Sequence, residues 1–112
     1  MAMRLPGGSD AIVEIEKLRD YCLDPQHPRG RHKAKVFASA LGLTQADAAF
    51  LRDALLRAAR EADALPGGSD EYGDRYALDL ELERGGRRAI VRSAWILRRG
   101  EMAPRLTSCF VR

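Results

Sequence analysis

The chain has 112 residues, 46% of them apolar and 31% charged, with a formal net charge of +3. That length fits one hydrophobic core and not two, and the balance suits neither a disordered segment nor a membrane class. No apolar run approaches the roughly 20 residues of a bilayer span, and the first ten residues lack a signal-peptide core, so the expectation is a single cytoplasmic domain over 1–112 with no membrane partner.

The hexapeptide LPGGSD occurs at 5–10 and again at 65–70. Helical spacing follows the first copy and strict alternation the second, so the two read as similar loops rather than a duplicated unit. Over 14–23 the residues Ile15, Leu18, Tyr21 and Cys22 fall on one side of a short helix. Asp24-Pro25 stops it, because a residue before proline is pushed out of the helical region. The stretch DPQHPRGRHKAKVF, 24–37, then holds both histidines of the chain. Ala34, Phe37, Ala38 and Leu41 form a second apolar stripe, closed by Gly42 in the position of a C-terminal cap. Thr44 opens a third helix, with Asp47 three residues on as the capping-box carboxylate. Phe50, Leu51, Ala54, Leu55, Ala58 and Ala62 carry its stripe.

At residue 75 the period changes. RYALDLELE sends Tyr76, Leu78, Leu80 and Leu82 one way and Arg75, Asp79, Glu81 and Glu83 the other. Gly85-Gly86 suits a two-residue turn of the primed type. Pairing Arg84 with Arg87 predicts the register: Leu82 opposite Ala89, Leu80 opposite Val91, Leu78 opposite Ser93 and Tyr76 opposite Trp95. The other face then matches Glu83 with Arg88 and Asp79 with Arg92 in charge. RLTSCFVR returns as a third strand; simple alternation puts Leu106, Ser108 and Phe110 beside Trp95, and Arg105, Thr107 and Cys109 beside Arg92. The expected fold is α+β: three N-terminal helices packed on one face of a C-terminal three-stranded antiparallel meander, whose other face stays open.

Cys22 and Cys109 lack metal-type spacing and read as reduced apolar side chains. No cofactor fingerprint or metal-ligand pattern is present, so neither a cofactor nor a metal is expected. His27, between proline-restricted positions, reads as exposed. At the start of the second helix Arg29, Gly30 and Arg31 offer a place for an anion such as phosphate. Metal-independent RNA cleavage needs a group to activate the ribose 2′-hydroxyl, a proton donor for the leaving oxygen and cations on the phosphorane. His32 or Lys33, with Arg92, Arg105 and Thr107, supplies those types, and RNA is the partner implied. The alternative is a non-catalytic interaction module. Its open sheet face, where Ile90, Ala94 and Ile96 lie among the charges, would take a protein partner or a second copy of the chain in a homodimer.

The runs KLRDYCLDPQHPRGRHKAKVFASALGL, EYGDRYALDLEL, VRSAWILRRGE and PRLTSCFV together resemble a small bacterial domain family of uncharacterised function. Its pattern reads approximately KLxxYLLNPxHPxGxxKAxxFxxxLG, then YGxxYxVD and VRSxWIxxxGExxPRLxTxYV. The resemblance spans nearly the whole chain and marks Gly30, Lys33, Arg92, Trp95, Arg105 and Thr107, while Cys22 and Asp24 stand where the pattern has leucine and asparagine. It implies no particular activity. A looser likeness, helices before an antiparallel sheet, is to the barnase-like and RelE-like ribonucleases of bacterial toxin systems; it implies a toxin-type activity by analogy of fold alone.

Overall fold

The computed structural model of the protein describes residues 3–112. Its elements are β1 (Met3–Arg4), α1 (Ile15–Lys17), α2 (Arg31–Leu41), α3 (Ala48–Glu61), β2 (Asp63–Ser69), β3 (Gly73–Arg84), β4 (Arg87–Arg98) and β5 (Arg105–Val111). A wider π-type turn, Leu18–Cys22, continues α1. No helix among the described residues is long and apolar enough to cross a membrane.

Gly85 and Gly86 both take positive φ, 59° and 81°. This left-handed pair is the type I′ turn whose twist matches the strands it joins. From it β3 and β4 zip together from Arg84↔Arg87 to Gly73↔Arg98, and all the pairs expected from the alternation are present. Leu78, Leu82, Val91 and Trp95 are buried on one face, and Asp79 and Arg92 lie on the other. α2 packs on β4 and β5, α3 on β3 and β1, and the Leu18–Cys22 turn on β5. Phe37, Leu41, Leu51 and Leu55 join the sheet's buried face in one core. Burying each such side chain contributes about 1.5–3 kcal/mol.

The helix ends follow their expected chemistry. Gly42 N–H donates to the Ala38 carbonyl at 2.9 Å and Leu43 N–H to that of Phe37 at 3.2 Å, closing α2. The Thr44 amide donates to Asp47 Oδ2 at 2.9 Å, half of a reciprocal capping box before α3.

The three-stranded meander is corrected in two ways. First, the sheet has five antiparallel strands in the order β1-β2-β3-β4-β5. The additional strands come from stretches read as loops: β2 takes up most of the second LPGGSD, and β1 leads into the first. The helices therefore lie between β1 and β2 rather than ahead of every strand. DALPGGS has little strand propensity of its own and is held by pairing with β3. β1 reaches only Asp63 and Ala64, so from Leu65 onward β2 is an edge, where a sheet tolerates proline.

Second, β5 contains a register shift opposite Ala94 and Trp95. Leu106 pairs with Trp95 but Ser108 pairs with Ala94, leaving Thr107 as the extra residue of a bulge. Alternation is inverted beyond it. Cys109 pairs with Ser93 on the buried face, and Phe110 pairs with Arg92 on the open one.

Ser93 is a buried polar side chain in that core. Its hydroxyl accepts the Trp95 indole N–H at 2.9 Å and donates to the Leu78 carbonyl at 3.2 Å. The serine therefore lets tryptophan be wholly buried without an orphaned donor. Ser93→Ala is expected to lower the unfolding free energy by about 1–3 kcal/mol, the cost of an unpaired buried N–H. Urea titration followed by tryptophan fluorescence measures it, and an unchanged midpoint contradicts the role given to the hydroxyl.

Candidate active site

Between Leu18–Cys22 and α2 the chain makes a tight turn organised by His27. Asp24 Oδ1 accepts the Gln26 amide at 2.8 Å. His27 Nδ1 accepts two backbone amides, Arg29 N–H at 3.0 Å and Gly30 N–H at 2.9 Å. With Nδ1 occupied as an acceptor, the neutral ring carries its proton on Nε2. The imidazole also meets the Tyr21 ring edge-on, with centroids 4.7 Å apart. Lys33 Nζ reaches down from α2 and donates to the Tyr21 hydroxyl at 2.9 Å. His27 is thus half-buried and fixed, not the exposed side chain its proline neighbours suggest. Gly30 is buried where the turn passes Tyr21, and a Cβ there would collide with the Tyr21 carbonyl oxygen.

Tyr21 and His27 line a polar cleft of about 540 Å³, with Glu14, Glu16 and Lys17 on α1 and its approach, Arg29 on the turn, and Thr107 on β5. The bulge sets Thr107 here, and its hydroxyl donates to the Ala94 carbonyl at 3.1 Å. Arg105 stands beside the cleft: it hydrogen-bonds Glu101 at 3.2 and 3.3 Å and comes within 3.8 Å of Glu14. The Arg105 hydrogen bonds hold the Glu101 carboxyl below the usual carboxylate range.

The residues singled out from sequence divide into three groups. Arg29 and Thr107 line the cleft, Gly30 shapes its wall, Lys33 supports it through Tyr21, and Arg105 touches it through Glu14. Arg31 and His32 line a different cavity beside α2. Arg92 lies on the open sheet face, where Nε and Nη2 grip Asp79 at 2.8 and 2.9 Å while Arg112 donates to the same carboxylate at 2.8 Å. His32 and Lys33 also line a groove with Phe110, the neighbour of Arg92 across the ladder, while Asp79 occupies the Arg92 guanidinium. The cleft also holds Glu14, Glu16, Lys17, Tyr21 and His27, which the sequence pattern did not mark as site residues. The available signal was HPRG itself, in which a side-chain acceptor two and three residues before free amides closes a turn, as Asp and Asn do elsewhere.

A family model described as a domain of unknown function, DUF6883, matches residues 4–112. The chain belongs to the DUF6883 family. No curated protein and no solved structure matches it. In this DUF6883 domain the two cysteines also meet behind the cleft: Cys22 follows Tyr21, Cys109 lies two residues beyond Thr107, and both thiols are free and buried. The neighbouring Cys109 thiol, as a hydrogen-bond donor, draws the Cys22 thiol down to about 7 against the cost of burial. Cys109 is itself pushed well up by Cys22 and by burial. Among the described residues no cluster of three or more His, Cys, Asp and Glu side chains is arranged to hold a metal ion.

Two outcomes follow. Gly30→Ala should destabilise the domain by about 1–3 kcal/mol through overpacking against Tyr21. Thermal unfolding reads this, and a wild-type midpoint would mean the turn has room to move. On the open face, the Arg92 hydrogen bonds, with the charges of Arg92 and Arg112, hold Asp79 below the usual carboxylate range despite partial burial. A depressed folded value means the stabilisation is full above the unfolded value and is lost as pH falls through the folded one. Stability should drop as pH is lowered from about 5 to about 2, and Asp79→Asn should make that slope shallower. Equal slopes for the two proteins would show that Asp79 does not carry it.

Proposed function

We propose that this domain is an RNA-directed, metal-independent ribonuclease whose site is the cleft around His27. The observation that carries the reading is the combination in one polar cleft of carboxylates, cations, a fixed imidazole and a phenol. These are the types that transesterification of a phosphodiester asks for.

In this reading Glu14 takes the proton of the ribose 2′-hydroxyl as that oxygen attacks phosphorus. Lys17, Arg29 and the Nε2–H of His27 face the negative charge that builds on the phosphorane. Tyr21 already accepts from the Lys33 ammonium, which leaves its own O–H to donate to the departing 5′-oxygen. The bond from phosphorus to the 5′-oxygen breaks, the 2′-oxygen bond forms, and the products are a 2′,3′-cyclic phosphate and a free 5′-hydroxyl. Arg92 is not given a place in this chemistry, because Asp79 occupies its guanidinium on the other face.

Incubation of the purified protein with total RNA and with a labelled oligoribonucleotide tests the reading. Cleavage to cyclic-phosphate ends is expected, lowered about 10²-fold or more by His27→Ala or Tyr21→Phe and retained by His32→Ala, with circular dichroism confirming that each variant folds. RNA left intact under all conditions overturns it. So does loss of cleavage in His32→Ala with His27→Ala unaffected. Intact RNA together with a dimer in light scattering would transfer the function to the open sheet face, where Ile90 and Phe110 are exposed.

A further inference from the structure

We propose that the cavity on the other side of α2 is a second binding site, which takes an aliphatic carboxylate. It measures about 610 Å³ and lies between α2, the chain around Leu23 and Pro25, and the segment Leu43 to Ala46. That volume is in the range of small-molecule sites. Its walls are largely aliphatic: Leu23, Ala34, Ala38 and Leu43 contribute, with the His32 imidazole beside them. A hydrocarbon chain needs only such apolar surface.

The charged lining has one sign. Arg31 and Lys35, one helical turn apart, stand at the rim with His32, and no carboxylate lines the cavity. Among the described residues neither Arg31 nor Lys35 makes an ion pair. On the sheet, by comparison, Arg75, Arg88, Arg92 and Arg105 are each held by a carboxylate. A ligand with an apolar body and a carboxylate head would satisfy both halves of the cavity at once, its chain against the leucines and its head between the two cations.

Titration of the ¹⁵N-labelled protein with sodium decanoate, kept below its micelle concentration, tests the site. Saturable shifts at the amides of Leu23, Ala34 and Leu43 are expected. Decanol, with the same chain and no charge, should bind about tenfold more weakly or worse, as loss of a charged hydrogen bond requires. Lys35→Glu should weaken decanoate by a similar factor, and Ala38→Trp, which fills the cavity from an exposed helix position, should abolish binding. Absence of saturable shifts overturns the proposal, as does decanol binding as tightly as decanoate or unchanged binding to Ala38→Trp. The site shares no wall residue with the His27 cleft, so failure here leaves the ribonuclease reading standing, and the reverse holds too.

Discussion

The β3–β4 ladder is the constraint on which the remaining structure hangs. Its register comes from two glycines in a left-handed turn, and a slip of one residue would set the apolar face of one strand against the polar face of the other. Covering Val91 and Trp95 would then drive Asp79 into the core, and covering Leu78 would drive in Arg92. Because the register holds, the apolar stripes of α2 and α3 have one surface to cover, and the polar relay from Trp95 through Ser93 to Leu78 closes inside it. This much was legible in the amino-acid sequence, because turn chemistry, alternation and cross-strand charge all point to the same pairing.

β5 shows where such reading fails. A bulge adds a residue without leaving a mark in the composition, and LTSCF is ambiguous enough to alternate acceptably in either phase. Thr107 absorbs the extra step. Everything beyond it changes side, so Cys109 turns in to meet Cys22 and Phe110 turns out beside Arg92. The bulge residue Thr107 is also the one that β5 contributes to the cleft wall.

β2 was missed for a different reason. Its residues would not form a strand alone, and Pro66 argues against one. The long β3 supplies a free edge with unpaired amides and carbonyls, which is stabilised by any chain that can lie along it. Tertiary pairing overrides local preference there. The fate of the charges was equally hidden, since paired and unpaired cations look alike in sequence. Only the fold shows that Asp79, Glu83 and Glu101 hold Arg92, Arg88 and Arg105, while among the described residues Arg31 and Lys35 make no ion pair.

The two histidines make the same point at atomic scale. They stand five positions apart in HPRGRH, and helix-dipole reasoning favours His32, at the start of α2. That residue is on an exposed helix face, and among the described residues no hydrogen bond holds its ring. His27 is fixed by two amides and by the edge of Tyr21, and a group held in place before substrate arrives spends no binding energy on being ordered. The same bonds decide what the ring can do. With Nδ1 accepting from the backbone, the neutral ring is left with an N–H donor on Nε2. In the ribonuclease we propose, that ring would face the phosphorane and the base would be a carboxylate; Glu14, within 3.8 Å of Arg105 beside the cleft, is the one already bound into the local charge network.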